Sequence, residues 1–176
     1  MMRTASGDDS GFTLVELLLA TTITGLLATV IAAAFAVGVK TTDTANDRLA
    51  GSQGAQIATS FFPSDMQSST GAITLGGTPC TGAAPMIAQL RWTDVDAASV
   101  SVNKVAEYTC VVAGTRRHLI RRFTSGATVT DVVVAYDVTA ASVSCLPDCT
   151  TATSARITAT HTGGYVFSVT ARRRSS

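Results

Sequence analysis

The residue whose type and position most clearly imply chemistry is Glu16, the only charged residue between Asp9 and Lys40. An ionised side chain in hydrocarbon costs at least about 2.5 kcal/mol, so a carboxylate at such a place normally has a function and a partner. Residues 12–39 as a helix would span about 42 Å, more than the roughly 30 Å of a bilayer core. The sequence therefore predicts a membrane-spanning helix whose single carboxylate has a specific partner.

The four cysteines all follow this apolar run: Cys80, Cys110, Cys145 and Cys149. An even number in a segment predicted to lie outside the cytoplasm indicates two disulfides. Pairing Cys145 with Cys149 and Cys80 with Cys110 is favoured, because "CLPDC" contains a Pro-Asp turn that can bring its ends together. The other pairings stay open. So does a four-cysteine zinc site, although the paired CxxC spacing of such sites is missing.

The two histidines are the first residues to consider for catalysis. His118 and His161 stand in no zinc-protease, nucleophile-elbow or phosphate-loop motif. Asp94 and Asp96 alternate in "TDVD" and could ligate a cation such as calcium, but the further oxygen ligands of an EF-hand loop are missing. The sequence predicts a protein that is not an enzyme and has no resident metal or cofactor.

A basic group could contact nucleic acid: Arg116, Arg117, Arg121 and Arg122. On a regular strand, Arg117 and Arg121 share one face, whereas Arg116 and Arg122 share the other. The formal net charge is only +1, which does not indicate a nucleic-acid partner. Solvated strand edges, or salt bridges to neighbouring subunits, are favoured over DNA contact. The terminal Arg172–Arg174 run is predicted to end an edge strand.

The segment that follows the apolar run is predicted to continue the helix over residues 40–69. Apolar residues recur there at roughly helical spacing: Ala45, Leu49, Ile57, Phe61, Phe62 and Met66. Gly51 and Gly54 are predicted to weaken this amphipathic half, and Pro63 to kink or stop it near Phe62, with the boundary between residues 60 and 69. The last three apolar residues are predicted to pack under a sheet.

Residues 70–176 are predicted to form an exported β-rich domain. From Ile73 onward the chain has short, β-branched and often alternating segments: "MIAQLRW", "AEYTCVV", "RHLIRRF", "TVTDVVVAYDV", "ARITATH" and "YVFSVTARRR". Thr74–Pro85 is predicted to be an exposed loop. One long helix followed by strands predicts an α+β fold in which the helix packs on a mostly antiparallel sheet.

The stretch "GFTLVELLLA", Gly11 to Ala20, resembles the class III signal of type IV pilins and pseudopilins. The resemblance implies that a prepilin peptidase cuts between Gly11 and Phe12, that leader 1–11 is lost, and that Phe12 is N-methylated. It also implies that helix 12–39 is retained for the membrane and the filament core. In that family, the residue matched by Glu16 pairs with the N-terminal ammonium of a neighbouring subunit during assembly.

The finer resemblance is to minor subunits. Ala33 occupies the place where major pilins commonly carry a proline, which favours a minor pilin or pseudopilin. The chain resembles pseudopilins of the J type and minor pilins of the W type in three features. These are the segment "FFPSDMQSS", the segment "EYTCVVAGTRRHLIRRF" and a last strand that ends in arginine. This implies a single-pass protein of the cytoplasmic membrane with its C-terminal domain outside, which joins or initiates a type IV pilus or type II secretion pseudopilus. A filament-displayed DNA-uptake or adhesion module is the alternative.

Overall fold

The structure, a computed structural model, describes residues 13–76, 80, 86–95, 97 and 99–174. The chain divides into two units, the first ending at Asp43 and the second comprising Thr44–Ser176. One helix, α1, runs over Leu14–Ser68 and contributes to both. It ends at Ser68, within the predicted range, and continues for five residues beyond Pro63, so this proline does not stop the helix.

The part of α1 in the second unit packs through a face that contains glycine. Its buried residues are Gly51, Gly54, Ala58, Phe62, Asp65 and Met66. A Cβ added to Gly54 would lie 3.1 Å from the Ala135 Cβ and from a ring carbon of Phe167. One added to Gly51 would lie 2.1 Å from the Tyr165 ring. The two glycines are therefore close-contact positions, a role that the prediction of helix weakening missed.

The strands form two antiparallel sheets instead of the single sheet predicted. The first has five strands in the order β1-β2-β3-β4-β5 and the second has three in the order β6-β7-β8. Their bounds are β1 Thr74–Leu75, β2 Met86–Val95, β3 Ser101–Ala113, β4 Arg116–Ser125, β5 Thr128–Ala135, β6 Val138–Leu146, β7 Ser154–His161 and β8 Val166–Arg172. One long helix with eight strands confirms the predicted α+β class.

Two stretches were assigned wrongly from sequence. The segment "TVTDVVVAYDV" was predicted to be one strand, but the chain leaves the first sheet at Ala135 and enters the second at Val138. Asp137 lies between them with a φ of 52°, a left-handed conformation that ends a strand. Thr74–Leu75 lies in the predicted exposed loop and pairs with β2. Residues 77–79 and 81–85 of that loop lie outside the described residues.

A buried ion pair joins α1 to the first sheet. Asp65 of the helix is 2% exposed and Arg121 of β4 is 8% exposed. The guanidinium donates from Nε to Asp65 Oδ2 at 2.7 Å and from Nη2 to Oδ1 at 2.5 Å. The Tyr108 hydroxyl of β3 also donates to Oδ2, at 2.7 Å. This carboxylate therefore binds two adjacent strands at once.

Aromatic rings enclose this ion pair. Phe61 and Phe123 flank the Arg121 guanidinium at 4.8 and 4.7 Å, and Phe62 packs edge-on against Tyr108. Burial disfavours the charge on Arg121, but the hydrogen bonds and charge of Asp65 outweigh it and raise the guanidinium pKa. Burial, followed by the charge of Asp65, also raises the pKa of Tyr108. The arginine stays charged and the phenol neutral across the physiological range.

Both disulfides have the favoured pairing, Cys80 with Cys110 and Cys145 with Cys149. The first is buried in the core. The loop of the second is organised by Asp148, whose carboxylate accepts hydrogen bonds from the backbone and hydroxyl groups of Thr150 and Thr151. These bonds, the one from the Thr150 hydroxyl first, lower the pKa of Asp148 to about 2. The Asp148 carboxylate therefore holds this exposed loop at any pH above that value.

The segment directly after α1 is held by a residue that directly follows the last strand. Arg173, which follows β8, donates from Nη2 to the Gly71 carbonyl at 2.6 Å and to Ser69 Oγ at 3.1 Å. A cation at this end complements the partial negative charge of a helix C-terminus. The middle residue of the terminal arginine run therefore has a structural contact in addition to the edge-strand role predicted for the run.

Replacing Asp65 with Asn should strongly destabilise the second unit. The substitution leaves the Arg121 guanidinium buried without a counter-charge, a loss of about 3–5 kcal/mol. Trp92, the only tryptophan, stacks on Phe123 beside this guanidinium and can report unfolding of the detergent-solubilised full chain in urea. Asp131→Asn is the matched control, because Asp131 pairs with Arg122 at the surface, where such pairs contribute about 1 kcal/mol or less. Equal losses in the two variants would contradict the assigned role of the buried pair.

Replacing Gly54 with Leu should also destabilise the second unit. The new side chain must displace Phe167 and β5, and overpacking of this kind costs about 1–3 kcal/mol. The higher helix propensity of Leu offsets about 0.8 kcal/mol of that loss. Gly71→Leu is the control, since a Cβ there meets nothing within 4 Å. Unfolding in urea distinguishes the two, and an unchanged midpoint for Gly54→Leu would show that the helix does not pack this closely.

Candidate functional site

The first turn of α1 brings Thr13 and Glu16 together. The Glu16 backbone N–H donates to Thr13 Oγ1 at 3.3 Å. In return, the backbone N–H and the hydroxyl of Thr13 each donate to Glu16 Oε2 at 3.2 Å. This reciprocal pattern is a capping box, in which two side chains satisfy backbone groups at the start of a helix.

The capping box shows that Glu16 has a local structural role in addition to any intermolecular one. Sequence reasoning did not single out Thr13, although the spacing Thr-x-x-Glu before an apolar run is a known signature of a helix start. A carboxylate in the first turn also interacts favourably with the helix dipole. The cap engages Oε2, and an ionised carboxylate has several further lone pairs that can accept a donor from another molecule.

Both predicted processing residues, Gly11 and Phe12, lie outside the described residues. Both precede Thr13 directly, so the predicted cut would leave Thr13 as the second residue of the mature chain. The backbone N–H of Thr13 belongs to an internal peptide bond before and after that cut. The geometry of the capping box is therefore compatible with the processed chain.

The first unit has a large apolar surface. Its helix is long and apolar enough to cross a membrane, and its most apolar window is entirely unburied in this structure. Exposed apolar patches of more than a few hundred Å² mark contact with a membrane or with other proteins. The large exposed side chains here are Leu14, Val15, Leu17, Leu18, Leu19, Ile23, Leu26, Leu27, Val30, Ile31, Phe35, Val37 and Val39.

The four arginines considered for nucleic-acid contact each have a bond within the chain. Arg121 pairs with Asp65 in the core, so the expectation that it lies at a solvated edge or binds a neighbouring subunit is wrong. Arg117 donates to the Cys80 carbonyl. Arg116 pairs with Asp137, and Arg122 with Asp131, both at 2.8 Å. The cluster is therefore divided among separate contacts.

Arg122 belongs to a polar row across the outer face of the first sheet. Gln89, Glu107, Arg122 and Asp131 are cross-strand neighbours on four successive strands. Hydrogen bonds to Asp131 raise the pKa of Arg122, and the same bonds lower the pKa of Asp131. Alternating charges along such a row stabilise strand pairing and keep this face solvated.

The remaining candidate residues are distributed over the domain. The His118 ring packs edge-on against Tyr136, and its Nδ1 accepts from the Asp137 backbone N–H at 3.4 Å. His161 is buried at the end of β7. Asp94 pairs with Lys104 at 2.6 Å, whereas Asp96 lies outside the described residues. Among the residues that the structure describes, no group of three or more His, Cys, Asp or Glu side chains could hold a metal.

Comparison with known proteins bears on the N-terminal segment alone. No curated protein and no solved structure matches the chain significantly. Residues 8–32 match the family described as the prokaryotic N-terminal methylation motif. The matched segment contains Gly11, Phe12 and the Thr13–Glu16 capping box at the head of an exposed apolar helix. This motif supports the identification of the chain as a protein of the type IV pilin or pseudopilin type.

Proposed function

We propose that the chain is a minor pilin or pseudopilin, a structural subunit that joins or initiates a type IV pilus or a type II secretion pseudopilus. The observation that carries this proposal is the methylation motif at residues 8–32, which stands at the head of a helix with an uncovered apolar surface. A structural subunit functions through the surfaces that contact its neighbours and requires no catalytic centre.

In this role the chain has four parts. A prepilin peptidase removes leader 1–11, and residues 12–39 first anchor the protein in the cytoplasmic membrane and later lie in the filament core. Residues 40–69 are the amphipathic half of the helix, and residues 70–176 form the exported domain. Two disulfides are typical of a domain that folds in an oxidising compartment. The partners are the peptidase, the membrane and other pilin-type subunits.

In the filament, Glu16 meets the N-terminal ammonium of a neighbouring subunit. An apolar helix surface tolerates a carboxylate and an ammonium only when they are paired, since each alone carries a large desolvation cost. Such a buried pair can fix the register between helices. The capping box supports this role, because its bonds to Oε2 hold the carboxylate beside the first turn.

The contacts of the β4 arginines argue against the alternative role in DNA uptake or adhesion. A DNA-binding surface would require the arginine group of β4 to form one continuous basic face. Three of these four arginines are in ion pairs within the chain, and one of the three is buried. A scaffold role requires no such face.

Processing is the first expected outcome. Mass spectrometry of the chain extracted from membranes of cells with a prepilin peptidase should show an N-terminus at methylated Phe12. Gly11→Val should accumulate as the unprocessed chain, because the residue before the cut is changed while the helix is untouched. A wild-type chain that retains residues 1–11 in the presence of active peptidase would contradict the proposal.

Variants of the capping box should separate the two roles of Glu16. Glu16→Ala should be processed normally but should be poorly incorporated into filaments, because the neighbour's ammonium then lacks a partner, a loss of about 3–5 kcal/mol. Thr13→Val removes the cap, which is worth about 1 kcal/mol, but keeps the carboxylate. Thr13→Val should therefore be incorporated far better than Glu16→Ala, and Glu16→Gln should fall between them. The measurement is the processed chain in sheared filament fractions.

The control is Thr13→Ser, which keeps the capping hydroxyl and should match the wild type. Equal incorporation defects in Thr13→Val and Glu16→Ala would show that Glu16 acts only through the cap. Normal incorporation of processed Glu16→Ala would exclude the pairing role altogether.

A further inference from the structure

The first sheet has one long edge strand, β5. The sheet ends on one side in β1, which has two residues, and on the other in β5, which has eight and pairs with β4 alone. Residues 128–131 are exposed, and Val129 is 57% exposed. Within the described residues, the backbone hydrogen bonds of β5 run to β4. The other side of this strand therefore presents N–H and C=O groups that can pair with a further strand.

The β5 edge lacks the features that usually prevent strand addition. Protected edges are short, bulged or occupied by lysine or proline, whereas "TVTDVVVA" contains neither residue. Residues 128–133 pair with β4 in an unbroken register. The only charged residue of β5, Asp131, lies on the outer face and pairs with Arg122 at 2.8 Å. An exposed, regular and mostly apolar edge of this kind is typical of a strand that pairs with another chain.

The outer face of the sheet restricts the charge of a strand that could pair with β5. The polar row reaches this edge at Asp131, which follows Glu107 and Arg122. Opposite charges stabilise a cross-strand pair, whereas like charges destabilise it. Two β5 strands that overlap fully in antiparallel register would place Asp131 opposite Asp131. A partner strand with a basic residue at this position fits better than a second β5.

The edge strand β8 of the second sheet has the required charge. It pairs with β7 alone, and its residues alternate between exposed and buried along their whole length. The exposed row consists of Val166, Ser168, Thr170 and Arg172. Antiparallel pairing that sets Arg172 opposite Asp131 also sets Thr170 opposite Val133, because residues on one face recur every two positions. The buried rows of the two strands then share the other face of the joined sheet.

The two edge strands run in opposite directions along α1. The middle of β5 pairs with the position of β4 that contacts Phe61, and the end of β5 lies beside Gly54. By contrast, β8 begins with Phe167 beside Gly54, and Arg173 after its end contacts Ser69. Two copies inserted in one membrane have helices of the same orientation, a condition that rests on the proposed function. Such copies present β5 and β8 to each other as antiparallel strands.

We propose that β5 of one copy pairs antiparallel with β8 of a second copy, with Arg172 opposite Asp131. The contact joins the five-stranded sheet of one exported domain to the three-stranded sheet of the next. Because the two edges differ, the interface is heterologous, and each copy keeps one edge for a further neighbour. Interfaces of this type generate rings or open helical assemblies. The exported domains thus add a directional contact to the one between the N-terminal helices.

The test is sedimentation velocity of the detergent-solubilised full chain at low salt, where surface charges are screened least. Arg172→Glu and Asp131→Lys each place like charges across the interface, so each variant alone should self-associate about tenfold more weakly than the wild type. An equimolar mixture of the two variants should associate as the wild type does. In the mixture, the intact β5 edge of the first variant meets the intact β8 edge of the second, which only a heterologous interface allows.

Arg156→Glu is the matched control, because Arg156 lies on the same exposed face of the second sheet, on β7 inside the edge. This variant should associate as the wild type does. A monomeric wild type would overturn the proposal. So would equal association of the wild type and both edge variants, or a mixture that associates no better than its components. None of these outcomes depends on peptidase processing, so failure here is distinguishable from failure of the proposed function.

Discussion

The bond on which the exported domain depends most is the one between Asp65 of α1 and Arg121 of β4. Apolar contacts are not directional, whereas a buried carboxylate that binds a guanidinium and a phenol fixes one rotation of the helix about its axis. That rotation turns Gly54 toward β5 and β8, and Gly51 toward Tyr165 in the turn before β8. The ion pair thus fixes the orientation of the helix face that Phe62 and Met66 bury, and the glycines then allow the close approach.

Some features of the second unit follow from apolar periodicity in the sequence, whereas the buried ion pair does not. The alternating strands, the helix and the burial of Phe62 and Met66 follow from apolar periodicity, which survives in any α+β arrangement. Leu49 belongs to the same apolar spacing but is 60% exposed, and Gly51 and Gly54 lie on the buried face instead. Asp65 and Arg121 lie 56 residues apart, and no local pattern indicates that two charged residues will meet in a core.

In the N-terminal segment, unlike the second unit, the residues of interest could be predicted from a local sequence motif. Its motif is local, so the sequence alone predicts roles for Gly11, Phe12 and Glu16, whereas the structure adds Thr13 as the capping partner of Glu16. The apolar face that follows is exposed in the described part of the chain, which is typical of surfaces that contact a membrane or other proteins.

Zero-length cross-linking can show whether Glu16 pairs with the N-terminal amine of a neighbouring subunit in the filament. Filaments treated with a carbodiimide, then digested and analysed by mass spectrometry, should yield a peptide in which Glu16 is joined by an amide bond to a neighbour's N-terminal residue. Asp94 and Lys104, 2.6 Å apart in each chain, provide the internal control for the reaction. Recovery of the Asp94–Lys104 link without any link from Glu16 to a neighbour's N-terminus would contradict the account.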